Sequence, residues 1–233
     1  MSVQVLSVQV LFVAAEAREC EPFIRHWTEV SDPVLPVRWA RSGVWKVRKC
    51  VAVANGAGVV RARAATAAVP HAMTVCSIGF CGAVESSLAI GDVFVATEVR
   101  NGFRRWPALR PRGPAAAEGP LQTVHHIVSG TREKQQIRAT GCLVVEMEAA
   151  AVARASEEEG AAFYCVRSVS DLAGEEFLND LNGCLRPDGS FDTARLVRGA
   201  LASPRRMAEL IRLGRRTSYA AKKLGDYLAR CEF

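Results

Sequence analysis

The sequence predicts an α/β fold in which a sheet is flanked by helices, and three observations carry that reading. Val-rich apolar runs alternate with Ala-rich stretches of helical character, the pattern of βαβ units. Glycines punctuate the strand ends at Asn55-Gly56-Ala57-Gly58 and Gly79-Phe80-Cys81-Gly82. Acidic residues directly follow apolar runs at Val144-Val145-Glu146-Met147-Glu148 and at Val166-Arg167-Ser168-Val169-Ser170-Asp171. In an open α/β sheet such a position is the carboxyl end of a strand, where ligands bind.

Taken in order, strands are expected near 3–13, 44–53, 73–79, 92–98, 122–129, 142–146 and 163–169. Helices are expected near 17–28, 58–69, 132–140, 147–160, 193–202 and 204–230. The first run alternates (Val3, Val5; Val8, Val10) and lacks a basic leader, so it reads as a strand rather than a signal peptide. Asn101 to Pro120 is rich in Pro, Gly and Arg without periodicity and reads as a surface loop. Arg186-Pro187-Asp188-Gly189-Ser190 is a turn, after which Asp192 or Thr193 caps the next helix. No repeat or low-complexity linker divides residues 1–233, so one domain is expected, with a basic helical tail from about 193.

Composition narrows the class. No apolar run reaches the roughly 18 to 20 residues of a membrane-spanning helix. The eight cysteines form no C-x-x-C pair, and most lie inside apolar runs. Free buried thiols in a reducing cytoplasm fit this better than a disulfide frame, and no metal site is implied. The net charge of +6 sits in the tail, where ten bases from Arg195 onward face only Glu209, Asp226 and Glu232. A solvated helix face explains that excess, and so does peripheral contact with the anionic inner face of a membrane. Nucleic acid is not expected, since aromatics are scarce among these bases.

Three carboxylates at two strand ends are hard to explain by core packing, because Asp and Glu are rarely buried without a partner. They suggest a site for a polyhydroxyl ligand that also needs a proton. The glycine turns are neither G-x-G-x-x-G nor a P-loop, so dinucleotide and ATP readings lack their motif. Asp171 also reads as a helix cap, Met147 as core filler and Glu146 as a first-turn acid favouring the helix dipole.

Together the two glycine turns, Ile90-Gly91-Asp92-Val93, Val145-Glu146-Met147-Glu148-Ala149 and Arg167-Ser168-Val169-Ser170-Asp171 resemble the nucleoside phosphorylase/nucleosidase superfamily. Ala15-Glu16-Ala17-Arg18 and Leu185 to Ser190 look similar to its hopanoid-associated branch, proposed to remove adenine from adenosylhopane. The resemblance implies a three-layer α/β sandwich with a mixed, twisted central sheet of the phosphorylase/hydrolase type. It implies cleavage of the N-glycosidic bond of a purine nucleoside by a homo-oligomeric enzyme without an organic cofactor.

By resemblance, Asp171 is the acid that protonates N7 of the leaving purine, which calls for a carboxyl with a pKa raised by burial. Glu16, with Glu19 as the fallback, activates water against an oxocarbenium-like transition state. Glu148 accepts from the ribose hydroxyls, Met147 packs on the sugar and Glu146 sits beside it. Phe80, Cys81, Gly82, Ser170 and Phe163 are expected to line the base and sugar pocket.

Two departures from the family pattern bear on the chemistry. Phosphorylases of the family usually carry an Arg at the place of Ser77 and a Ser at that of Phe80, both touching phosphate. Ser77 has no charge and Phe80 no donor, so water is the expected nucleophile. Inorganic phosphate, held by Arg18 or Arg61, is the alternative co-substrate. The stretch from Ser129-Gly130 to Gly141 is several residues shorter than in the nucleosidases and lacks the aromatic that stacks on the base. Phe177 is the nearest substitute. A catalytically silent nucleoside- or lipid-binding module on the same fold is the rival from another class.

Overall fold

A computed structural model describes residues 8–233, so the first half of the expected opening strand lies outside the described residues. In chain order the elements are β1 (Val10–Ala14), α1 (Ala17–Ile24), β2 (Thr28–Ser31), β3 (Trp39–Trp45), β4 (Arg48–Ala54) and α2 (Val59–Ala67). They continue with β5 (Thr74–Ala83), β6 (Val93–Asn101), β7 (Arg104–Pro107), β8 (Ala117–Thr123), α3 (Thr131–Ala139) and β9 (Val144–Glu146). The last are α4 (Ala149–Glu159), β10 (Ala162–Asp171), α5 (Thr193–Leu201) and α6 (Pro204–Leu228).

The strands form one mixed sheet in the order β10-β6-β8-β9-β5-β1-β4-β3-β2, with β7 on β6. Strand β10 pairs with both β6 and β5, so β5, β10, β6, β8 and β9 close into a ring. Side chains of β1 alternate between two cores. Leu11 and Val13 pack with Ala62 and Ala65 of α2 and Val152 of α4, while Val10 and Phe12 pack with Phe23 of α1 and Leu224 and Leu228 of α6. Helices thus cover both faces, giving the three layers expected. All eight cysteines are free and buried.

Several elements differ from the sequence reading. The expected strand 44–53 is a hairpin whose turn, at Lys46 and Val47, uses positive φ on non-glycine residues (46° and 61°). Helix α1 stops at Ile24 because the chain turns into β2, which pairs with β3. The expected loop 101–120 holds β7 and the start of β8, and the strand expected at 122–129 lies earlier, at Ala117–Thr123. Gly119 and Pro120 inside β8 are poor strand formers and disguise it. Asp192 caps α5 as expected, accepting from the Arg195 N–H at 2.9 Å.

Candidate active site

The carboxyl ends of β1, β5, β9 and β10 open into a cavity of about 450 Å³. Glu16, Glu19, Phe80, Cys81, Gly82, Glu146, Met147, Glu148, Ser170, Asp171 and Phe177 all line it. The carboxylates from three distant stretches therefore meet around one small-molecule-sized hollow. Phe163 does not join them: it is buried in the core at the opposite end of β10, its carbonyl accepting from Leu109 N–H.

The two candidate bases of the first strand end differ in surroundings. Glu16 is half-buried, and its carboxylate is 2.5 Å from Arg18 Nε. Glu19 is 5% exposed; Oε2 accepts from the Ala15 and Glu16 N–H groups at 2.9 Å each, and Oε1 accepts from Phe80 N–H at 3.1 Å. Burial pushes the Glu19 carboxyl up, partly offset by the backbone N–H it receives from Glu16. Glycine at 79 makes room, since a Cβ there would lie 2.9 Å from Glu19 Oε1. Glu19, expected only as the fallback, is thus the buried carboxylate held in a fixed pose.

Glu146 organises the turn from β9 into α4. Its Oε2 accepts from Glu148 N–H (2.9 Å) and Ala149 N–H (2.8 Å), and Oε1 accepts from Thr123 Oγ1. The Thr123 hydroxyl in turn receives Ala150 N–H at 3.1 Å, so the first turn of α4 is satisfied by side chains. Arg167 closes the network, 1% exposed, donating to Glu146 Oε2 at 2.7 Å and to Ser77 Oγ at 2.8 Å. The Glu146 carboxylate is therefore engaged by protein groups at the edge of the cavity, in the first-turn role that is its alternative reading. Ser77 likewise lies beneath the site, fully buried, holding Arg167.

Glu148 faces the cavity. Oε1 accepts from Gly58 N–H at 2.7 Å across the second strand–helix junction, so that glycine turn serves the site by positioning a side chain. Burial, and then the neighbouring Glu146 charge, raise the Glu148 carboxyl to about 8. Burial also raises the Cys81 thiol well above its usual range, so it lines the pocket as a neutral group.

Asp171 ends β10. A Cβ at residue 82 would lie 2.8 Å from its Oδ2, so glycine lets β5 approach it. The carboxylate is buried, as expected, but paired: Lys134 Nζ of α3 donates to Oδ2 at 2.7 Å, and Ser170 Oγ donates to Oδ1 at 3.0 Å. Phe177 completes this end, with Lys134 Nζ 5.6 Å from its ring centroid.

The opposite wall is not legible in the sequence. Leu181, Phe191, Leu196, Leu210, Leu213 and Thr217 make it mostly apolar, contributed by α5, α6 and the loop before them. Sequence reasoning also misses Lys134, although an inward pair at i and i+3 (Lys134, Ile137) is its signal on α3. Arg167 lies within a recognised motif, but a buried arginine is not distinguishable in sequence from an exposed one. Among the described residues no cluster of His, Cys, Asp or Glu is arranged to hold a metal ion.

Comparison with known proteins places this geometry. The model for the Phosphorylase superfamily matches residues 108–186, which include Glu146, Glu148, Arg167 and Asp171. Over that stretch, about a third of its length, the chain is similar to the Phosphorylase superfamily. A 5'-methylthioadenosine/S-adenosylhomocysteine nucleosidase of Staphylococcus aureus is 29% identical to this chain, over 58% of the chain and 74% of the relative. The Neisseria meningitidis nucleosidase of the same name, solved with methylthio-immucillin-A, shares its fold at a TM-score of 0.73. That similarity, at 20% identity, spans 96% of this chain and 97% of the other. Futalosine hydrolase of Helicobacter pylori is similar at a TM-score of 0.70 and 14% identity, over 96% of each chain.

Proposed function

We propose that the protein hydrolyses the N-glycosidic bond of an adenine nucleoside. One observation carries this: Glu19, Glu148 and Asp171, from stretches far apart in sequence, line a single cavity. The relatives' names, two nucleosidases and a hydrolase, support the same reaction class.

In this reading Asp171 is the acid at the leaving base, and Glu148 accepts from the ribose diol with Met147 against the sugar. Glu19 takes the proton of the attacking water in place of Glu16, because its pose is fixed by three backbone donors and burial raises its pKa, which makes it the stronger base. Phe80, Cys81, Gly82 and Ser170 line the base and sugar, and Phe177 is the aromatic nearest the base. Water is favoured over phosphate because Ser77 is held by Arg167, Phe80 donates nothing from its side chain, and Arg18 is paired with Glu16.

The finer reading is an apolar 5′ substituent, as in the hopanoid-linked nucleoside adenosylhopane. The apolar wall of Leu196, Leu210 and Leu213 suits it. A cytoplasmic homo-oligomer whose basic α5–α6 surface touches the inner membrane face is consistent with it. No cofactor is assigned.

Adenine release from adenosine, methylthioadenosine and an apolar 5′-extended adenosine, with and without inorganic phosphate, tests the proposal. Phosphate-independent release that Asp171→Asn reduces by at least about a hundredfold is expected. Strict phosphate dependence defeats the hydrolase reading. Nucleoside binding with no turnover of any of the three favours the silent module.

A further inference from the structure

Lys134 is a buried cation to which the proposed hydrolysis assigns no task. It is 1% exposed, on a helix whose neighbouring side chains Gln135 and Gln136 are exposed. Its Nζ donates to Asp171 Oδ2 at 2.7 Å and to the Leu172 carbonyl at 2.6 Å. Removing an ammonium and a carboxylate from water costs several kcal/mol each, and apolar residues of similar volume often replace such pairs without loss. Packing alone therefore does not explain a lysine in this place.

The pairing also poses a chemical problem, because a carboxylate in an ion pair has no proton to give to a leaving base. Resting on the proposed hydrolysis, we infer that Lys134 is the positioning residue that supplies Asp171 with that proton. As the C1′–N9 bond breaks, its electron pair moves onto the purine. N7 takes a proton from Asp171, and Asp171 Oδ2 takes one from Lys134 Nζ. The exchange ends with an ionised Asp171 beside a neutral amine, which regains its proton through Asp171, open to solvent in the emptied cavity once the base has left. The water that attacks C1′ gives its own proton to Glu19, so no other acid is required.

The surroundings suit a transfer confined to this pair. Across β5 stands the Cys81 thiol, raised by burial. Glu175, beside Leu172, is held by Arg216 and by Leu172 N–H. On and beside α3, Glu133 is paired with His126, and Glu176 accepts from Thr131. Phe177, whose ring centroid is 5.6 Å from Nζ, lines the cavity, and Lys134 does not. Asp171 is the one carboxylate with an oxygen on the Lys134 ammonium among the described residues.

Lys134→Arg is the discriminating variant, because guanidinium keeps the charge but does not release a proton. Two substrates separate the outcomes: methylthioadenosine, whose purine must be protonated, and 4-nitrophenyl riboside, whose leaving group departs as a stable anion. The expected result is a loss of about a hundredfold in kcat on methylthioadenosine, with KM and the nitrophenyl rate changed by less than about threefold. Lys134→Met should repeat this pattern and move the basic limb of kcat to lower pH, which guards against a misfolded arginine variant. Wild-type kcat on methylthioadenosine in Lys134→Arg, or equal losses on both substrates in both variants, would overturn the inference while leaving hydrolysis standing. A wild-type enzyme that releases base from no purine nucleoside overturns both.

Discussion

The two walls of the cavity are built on different principles. The strand-end wall fixes its chemistry through short-range bonds: Glu19 on three N–H groups, Glu146 on two N–H groups and Arg167, and Glu148 on Gly58. Each of those groups sits at a β–α junction, where the strand is immobilised by its neighbours. The helical wall keeps its buried carboxylate away from the cavity: Glu209 of α6 accepts from Leu178 and Asn179 N–H and does not line the hollow. Helix α5 buries only Ala200, and α6 presents Leu210 and Leu213 to the cavity without a polar anchor between them. One wall is made to hold a fixed set of reacting atoms, and the other to accept bulk. On the proposed function, the reaction type would be set at the strand ends and the substrate's 5′ group at the helices.

The largest test of this contrast is within the strand-end wall. Glu19→Gln should lower kcat by about a thousandfold, whereas Glu16→Gln should cost less than about tenfold, in steady-state assays of adenine release. The reverse order would return the base to Glu16 and show that a fixed pose does not select the base. A second test concerns stability. Arg167→Met leaves the Glu146 carboxylate buried without its partner and should destabilise the fold by about 3–5 kcal/mol. Arg38→Ala, which breaks the exposed pair with Asp188, should leave the melting temperature nearly unchanged. Thermal melts compare the two.

The raised carboxyl of Glu148 gives a pH dependence of definite sign. With a folded-state value of about 8 against an ordinary 4.5, the folded protein retains a proton that the unfolded chain has released. Stability from this group is present below about 4.5 and lost as pH rises through 8. Glu148→Gln should therefore raise Tm relative to wild type at pH 9 and not at pH 4. A ribose diol donating to the carboxylate favours its ionised form, so KM of the wild type should fall as pH rises from 6 towards 9. That trend should vanish in Glu148→Gln.

What is legible in the sequence follows the same division. The strand-end acids stand out because a carboxylate directly after an apolar run has few structural explanations, and Asp171 and Glu148, which line the cavity, are legible that way. Glu19 ranks below Glu16 in sequence because burial within one helical turn cannot be read there. Phe163 is misplaced because an apolar residue beginning a strand looks the same whether it faces core or cavity. The apolar wall leaves only the amphipathic pattern of any surface helix. Strands β7 and β8 are hidden by Pro, Gly and Arg, whose local preferences are overridden by pairing with β6.

On the helical wall, Leu196→Ala and Leu210→Ala should each weaken an apolar 5′-extended adenosine by about tenfold in KM and leave adenosine nearly unchanged, since a lost apolar contact discriminates by about 1–3 kcal/mol. Equal effects on both substrates would mean that this wall does not face the 5′ substituent.

The smallest effect concerns the outer surface of the same helices. Val197, Leu201 and Ile211 are exposed there, at 39%, 69% and 50%, among Arg195, Arg198, Arg205, Arg206 and Arg215. An apolar strip bordered by arginines suits the headgroup region of an anionic membrane. Removing the tail is a poor test, because Leu224 and Leu228 of α6 are fully buried in the core beneath β1 and the truncated chain would lose that packing. Charge reversal at Arg198 and Arg205 avoids the core. Each reversal should weaken binding to phosphatidylserine-containing vesicles by at least about fivefold, at roughly 1 kcal/mol per lost basic group. Added salt should weaken the wild type in the same way. Binding indifferent to both would assign these arginines to a solvated helix face, and the helical wall would then meet its substrate from bulk water.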